Sequence, residues 1–172
     1  MPRILPAGSL QLTRVTAMDL AKNLKIDSVS RLHPSAPLQV APTQTVGEAL
    51  GLMRRDRVGC ILVCQDDRLV GIFTERDLMR RVLAAGKPLS VPVGECMTPN
   101  PAFVQSKDSV GSALRRMEEG GYRHLPVVDE VGRAVGILSV KRIVHYLVEH
   151  FPTTVYNLPP NPGAVPLEPE GA

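Results

Sequence analysis

The chain has 172 residues, enough for one domain of ordinary size or for two small units that share a core. Its 20 lysines and arginines against 17 acidic residues leave a net charge of +3, too small to indicate DNA or an acidic membrane as a partner. Aromatic residues make up 3% and tryptophan is absent, which argues against a stacking surface for single-stranded nucleic acid. Composition therefore predicts an ordinary globular protein and disfavours nucleic-acid binding.

Cysteine and histidine spacing gives no indication of a metal or redox site. Cys60, Cys64 and Cys96 are an odd number without a C-x-x-C pair, and the four histidines form no ligand-spaced cluster. No apolar run approaches the roughly 18–20 residues of a membrane span, and no secretory signal opens the chain. We therefore expect a cytoplasmic protein that has no metal ion and no membrane anchor.

The chain divides into five segments. Residues 1–30 are an N-terminal extension in which Leu20 and Leu24 favour one short helix. The first unit spans 31–86 and a second unit spans 102–150, with a proline-containing linker at 87–101. The six prolines of the tail, 151–172, predict that it has neither a helix nor a strand core.

The two units repeat one pattern. Each opens with a short extended segment, followed by a helix with apolar residues at i, i+3, i+4 and i+7. Thr45 and Ser109 precede these two helices as N-caps. Two apolar strands around a polar turn and a second helix complete each unit. The apolar helix positions are Val46, Ala49, Leu50 and Met53 in the first unit, and Val110, Ala113, Leu114 and Met117 in the second.

A strand runs into the second helix of each unit through a hydroxyl residue, Thr74 or Ser139. Free N–H groups at such a helix N-terminus suit a phosphate. In the first unit Asp77 follows Thr74 after three residues, whereas the second unit has Arg142 in the same place. Thr74 and Asp77 match a capping box that stabilises the helix, which the pattern alone favours, and they are also compatible with a pair of residues that holds the ribose of a nucleotide. The residues alone leave both alternatives open.

The doubled unit, with Gly-Ile-Phe-Thr-x-x-Asp closing its first copy, resembles a pair of CBS domains, or Bateman module. Residues 97–101 and 123–129 are further matching marks, and the resemblance covers about residues 30–150. It implies an α+β (α/β) fold in which two β-α-β-β-α repeats pack face to face through their sheets. It also implies a stand-alone regulatory protein that binds AMP, ADP or ATP, or S-adenosylmethionine, that forms a homodimer and that signals to an unidentified protein.

The resemblance also implies a site between the repeats, in which Asp77 accepts hydrogen bonds from the ribose hydroxyls. An apolar slot would hold the base, and cations of the second repeat would meet the phosphate. The candidate residues are Val40, Thr45, Ile72, Phe73, Thr74, Asp77, Arg123, His124 and Lys141. Arg142 offers only donors, so we expect the second site to be empty or to take a different anion.

Two functions remain as hypotheses. The first is a ligand sensor, and the alternative is a non-catalytic dimerisation or interaction module whose ligand cleft is vestigial. We expect no enzyme activity, since the sequence contains no nucleophile–base pair, metal cluster or Gly-rich phosphate loop.

Overall fold

The structure, a computed structural model, describes residues 17–156. Its helices are α1 (Ala17–Ile26), α2 (Val46–Asp56), α3 (Glu75–Asp77), α4 (Val110–Gly120), α5 (Val140–His150) and α6 (Pro152–Tyr156). Its strands are β1 (Gln39–Val40), β2 (Cys60–Gln65), β3 (Arg68–Thr74), β4 (Thr98–Pro99), β5 (Val104–Gln105), β6 (His124–Val128) and β7 (Ala134–Ser139).

Each repeat forms one small sheet. The first sheet has the order β1-β2-β3-β4 and the second has the order β5-β6-β7. The opening strand of each repeat pairs in parallel with the next strand, and the remaining pairs are antiparallel. The predicted succession of strand, helix, strand, strand and helix is therefore confirmed in both repeats, and so is the α+β class.

The first helix of each repeat begins at the predicted cap. Thr45 Oγ1 accepts a hydrogen bond from Glu48 N, and the Glu48 carboxylate accepts one from Thr45 N, so a complete capping box starts α2. Ser109 Oγ likewise accepts from Ser112 N at the start of α4. Both helices end at a residue with a left-handed backbone, Arg57 and Gly121.

The second helices differ from each other, although the sequence predicts the same element twice. Helix α5 is regular, whereas α3 makes one α-helical turn and continues in wider π-type turns over Leu78–Leu83. In these turns Ala84 N donates to Met79 O, five residues earlier in the chain. Val82 stays fully buried there, while Leu83 is exposed.

Each hydrophobic core is completed by the segment that precedes the other repeat. Val29 and Leu32, which come before β1, the first strand of the first repeat, pack in the core of the second repeat with Leu125 and Leu138. The segment expected to be a linker contributes in the same way to the first repeat. It forms β4, and its Val93 and Cys96 side chains are fully buried with Phe73. Residues outside the two units are thus part of the fold.

A buried carboxylate supports this exchange of segments. Asp27, just after α1, is 7% exposed and accepts hydrogen bonds from Tyr146 Oη on α5 and from Arg31. Burial and the Asp27 carboxylate raise the pKa of Tyr146 to about 12, so the phenol stays protonated and donates. The first segment of the chain is therefore tied to the last helix of the second repeat.

This exchange of segments between the two cores predicts that Leu32→Ala lowers the free energy of unfolding, because Leu32 packs in the core of the second repeat. Leu32 is 3% exposed, and removing a buried leucine side chain costs about 2–5 kcal/mol in the free energy of unfolding. Ile26→Ala is the matched control, because Ile26 is 66% exposed in the same segment and surface changes cost about 0.5 kcal/mol or less. Urea unfolding measures both. Equal losses in the two variants would contradict the placement of Leu32.

The two sheets meet in a separate apolar cluster. Cys60, Leu62, Cys64 and Ile72 of the first sheet pack there with Ala134 of the second. Packing of the repeats through their sheets is therefore confirmed. Burial, assisted by the charge of Glu75, raises the pKa of the Cys60 thiol to about 12. The thiol therefore stays protonated and is a poor nucleophile.

The start of the proline-rich tail differs from its prediction. Residues Pro152–Tyr156 form the short helix α6. Proline is compatible with the first position of a helix, because the N–H group that it lacks would have no partner within the helix. The rest of the tail prediction, 157–172, and residues 1–16 of the N-terminal extension lie outside the described residues. Within residues 17–156, no helix has the length and apolarity that crossing a bilayer requires.

Candidate functional site

A cavity of about 260 Å³ lies between the repeats. Its first wall comes from the end of β3 and the start of α3. The second wall comes from residues 98–102, which include β4, and the third from the turn before β6 and the start of that strand. Three separate parts of the chain therefore surround one space, with polar and apolar groups mixed on its surface.

Asp77 is the best-connected polar side chain of this cavity. Its Oδ2 accepts hydrogen bonds from Thr74 N at 3.0 Å and from Thr74 Oγ1 at 2.7 Å. Its Oδ1 accepts from Thr98 Oγ1 at 3.0 Å and lies 3.4 Å from Arg81 Nε. The side chain is a member of a capping box and also lines the cavity, so the capping alternative is observed and the ribose-binding alternative stays a prediction.

Thr98 comes from outside the helix that Asp77 caps. Strand β4 places it, because Thr98 pairs with Ile72 of β3 in an antiparallel register. The Asp77 side chain is 10% exposed and yet borders a space shared by the two repeats. It can therefore add an acceptor bond to a ligand hydroxyl without leaving its present partners.

Arg123 and His124 form the side of the cavity that belongs to the second repeat. Strand β6 begins at His124, which pairs with Ser139 and is partly buried. Burial and the neighbouring Arg123 charge lower the pKa of His124, and the Glu75 carboxylate opposes this only partly. The imidazole is therefore neutral near pH 7.

The lowered pKa of His124 gives a pH dependence to stability. Below its ordinary value of about 6.5 the unfolded chain binds a proton that the folded chain resists, so the free energy of unfolding falls as pH decreases. When the pH decreases from about 7.5 to about 5.5, a range that brackets the ordinary histidine pKa, we expect the free energy of unfolding to fall less in His124→Gln than in the wild type. Urea unfolding at several pH values measures this. Identical pH slopes for the two proteins would contradict it.

Five of the nine predicted site residues come together around the cavity. They are Ile72, Thr74, Asp77, Arg123 and His124.

The remaining four predicted residues lie elsewhere. Val40 and Phe73 are buried in the core of the first repeat, and Thr45 caps α2. Lys141 is exposed on α5 and is not among the residues that line the cavity. Phe73 and Ile72 separate because neighbouring residues of a strand point to opposite faces of the sheet.

The structure adds lining residues that the sequence analysis did not select. Thr98, Glu75, Arg76 and Tyr122 all border the cavity. Thr98 lies within 97–101, a stretch that the sequence analysis used only as a family mark. Glu75 and Arg76 stand between Thr74 and Asp77 in the sequence, and this position was the feature that could have identified them as lining residues.

The equivalent position of the second repeat is built differently. Arg142 N donates to Ser139 Oγ as part of a helix cap, and the Arg142 guanidinium donates to Ser35 Oγ at 3.1 Å. Ser35 in turn forms a bridge with Ile137 of β7, just as Thr98 pairs with β3. The arginine thus occupies a donor role where the first repeat has an acceptor. An empty or different second site stays a prediction.

The model of the CBS domain family matches residues 29–84 and 93–149, most of the described chain. The chain belongs to the CBS-domain family. A CBS domain-containing protein of Arabidopsis thaliana is 36% identical over 122 residues, which are 69% of this chain and 22% of that protein. The chain spans 14% to 26% of the length of the first curated relatives that it matches.

Solved structures share the CBS-pair fold. An uncharacterised conserved protein from Pyrococcus horikoshii is 32% identical, with a TM-score of 0.64 over 70% of this chain and 92% of its own. A CBS domain protein from Pyrobaculum aerophilum, solved in complex with AMP, is 26% identical, with a TM-score of 0.64 over 72% of this chain and 99% of its own.

Proposed function

We propose that this chain is a non-catalytic, regulatory CBS-domain protein that binds an adenosine-containing ligand, AMP, ADP or ATP, in the cavity between its repeats. The observation that carries the proposal is Asp77, a buried carboxylate that borders a space shared by both repeats. A carboxylate is the acceptor that suits the two adjacent hydroxyl donors of a ribose. The AMP complex of the Pyrobaculum aerophilum relative supports the same ligand class.

In the proposed complex three groups of lining residues have separate roles. Asp77 accepts the ribose hydroxyls, while Ile72 and Thr74 border the base. Arg123 and His124 receive the phosphate, the arginine as a cation and the neutral imidazole as a hydrogen-bond donor. Because the ligand touches both repeats, it favours one arrangement of the repeats over others. A partner protein in the cytoplasm reads that shift, whose size is limited by the difference in ligand affinity between the arrangements.

Isothermal titration calorimetry tests the proposal directly. We expect a saturable signal with at least one of AMP, ADP and ATP, at one ligand per chain. S-Adenosylmethionine is a separate arm, since it shares the adenosine but carries no phosphate. The absence of heat with all four compounds, together with no shift of the unfolding midpoint, would overturn the proposal.

An interaction module is the second candidate, and exposed apolar side chains favour it. Met79 is 59% exposed and Leu83 is 53% exposed on the first repeat, and Val144 is 50% exposed on α5 of the second. Such a surface suits a homodimer. Sedimentation of the wild type and of Asp77→Ala, with and without AMP, separates the candidates. A pure interaction module predicts one unchanged assembly in all four samples.

A further inference from the structure

The charges around the cavity nearly cancel. Two carboxylates, Glu75 and Asp77, and two guanidiniums, Arg76 and Arg123, belong to its lining. Arg81 adds a third guanidinium from outside the lining, but its Nε lies 3.4 Å from the Asp77 carboxylate. His124 adds no charge near neutral pH because its pKa is lowered. The cavity therefore has very little positive charge to offer to an anion.

Glu75 lies beside the residues that would receive a phosphate. A Cβ added to Gly59 would lie 3.4 Å from Glu75 Oε2 and 3.7 Å from His124 Cε1, so the carboxylate and the imidazole border the same small space beside this glycine. Glu75 N also donates to Gly59 O, which fixes the start of α3 against this loop. Within residues 17–156, the Glu75 carboxylate forms no ion pair. Its negative charge is thus not neutralised by a base.

We propose that Glu75 makes the cavity favour adenosine compounds with a single phosphate or none over those with more phosphates. This inference rests on the proposed function of the cavity. A phosphomonoester carries about −1.5 to −2 charge near pH 7, which Arg123 and Arg76 can offset. Each further phosphate adds negative charge next to the Glu75 carboxylate, where the lining has no further permanently charged cation. A like charge at the mouth of a site discriminates by repelling the wrong ligand.

The exposure of Glu75 sets the size of the effect. Its side chain is exposed, so water and salt screen the repulsion. We therefore expect a discrimination of about tenfold between AMP and ATP in low salt, which corresponds to about 1.4 kcal/mol. The same reasoning predicts that the discrimination decreases in high salt, because the Debye length shortens to about 3 Å at 1 M.

The test measures Kd for AMP and for magnesium-free ATP in the wild type, in Glu75→Gln and in Glu119→Gln. Glu119 is the matched control, because it is an exposed glutamate of α4 outside the cavity lining and its substitution removes the same charge. We expect the ratio of the ATP and AMP Kd values to fall about tenfold in Glu75→Gln, the full size of the repulsion. The ratio in Glu119→Gln stays at the wild-type value.

Two outcomes would overturn the inference and leave the proposed function intact. One is equal binding of AMP and ATP by the wild type, and the other is an unchanged ratio in Glu75→Gln while AMP still binds. Binding of neither nucleotide by the wild type overturns both statements. If Glu75→Gln does not fold, the salt dependence of the wild-type ratio decides, since a ratio that salt does not change contradicts a role for charge.

Discussion

The Asp77→Ala variant is expected to bind AMP about a hundredfold more weakly than the wild type. Hydrogen bonds to a charged acceptor contribute about 1.5–3 kcal/mol each, and a ribose offers two hydroxyl donors to the carboxylate. Losing one such bond at the upper end of this range, or two at its lower end, costs about 3 kcal/mol, or roughly two factors of ten in Kd. Isothermal titration at a temperature at which both proteins are folded measures this difference.

Asp77 also caps a helix, so this variant needs a control that separates binding from folding. Glu48→Ala removes the same type of capping box from α2, where Glu48 accepts from Thr45 at 2.7 and 2.8 Å. Glu48 does not line the cavity. We expect this variant to keep wild-type AMP affinity. An Asp77→Ala protein that binds AMP within about threefold of the wild type, less than 1 kcal/mol, would contradict the role of the carboxylate.

The Phe73→Ala variant is expected to lose about 3–5 kcal/mol in the free energy of unfolding, the usual cost of removing a buried phenylalanine side chain. Phe73 is fully buried in the core of the first repeat. Small domains have a total stability of about 5–15 kcal/mol, so this loss is a large part of the whole. Urea unfolding with a fixed m-value measures it.

Phe103→Ala is the control for the same chemical change. Phe103 is 42% exposed, so its loss is expected to be well below that of Phe73. We also expect folded Phe73→Ala to keep its affinity for AMP, because Phe73 points into the core and does not line the cavity. Equal stability losses for the two variants would contradict the burial of Phe73 in the core. A specific loss of AMP binding in folded Phe73→Ala would show that Phe73 belongs to the site after all.

The local structure could be predicted well from the sequence because the same pattern of apolar spacing, capping residue and polar turn occurs in both repeats. The apolar spacing of α2 and α4 and the hydroxyl residues before them predicted both helices and both caps. The polar turns between apolar strands gave the hairpins to within a few residues. Thr74 and Asp77 were selected as a pair, and the structure joins them by three hydrogen bonds.

The faces of the strands could not be predicted in the same way. Residues 60–64 are all buried, and Ile72 and Phe73 are both apolar and buried, so no polar alternation marks which side faces the cavity. Phe73 therefore stood among the candidates beside Ile72. Lys141 was a candidate because cations suit a phosphate, but the direction of an exposed side chain depends on tertiary packing.

The exchange of segments is the other feature that local patterns do not contain. Nothing in the sequence spacing indicates that Leu32 packs in the core of the second repeat or that Val93 packs in the core of the first repeat. The same exchange brings Thr98 to Asp77. A ligand that bonded to Asp77 and also met Arg123 or His124 would contact both repeats, and the proposed coupling of binding to the arrangement of the repeats requires that contact.

A crystal structure of the protein with AMP tests the central claim most directly. The account predicts AMP in the cavity between the repeats, with its ribose hydroxyl oxygens about 2.5–3.0 Å from the Asp77 carboxylate, the range of O–H···O hydrogen bonds. AMP bound elsewhere, with Asp77 contacting only Thr74, Thr98 and Arg81, would contradict it.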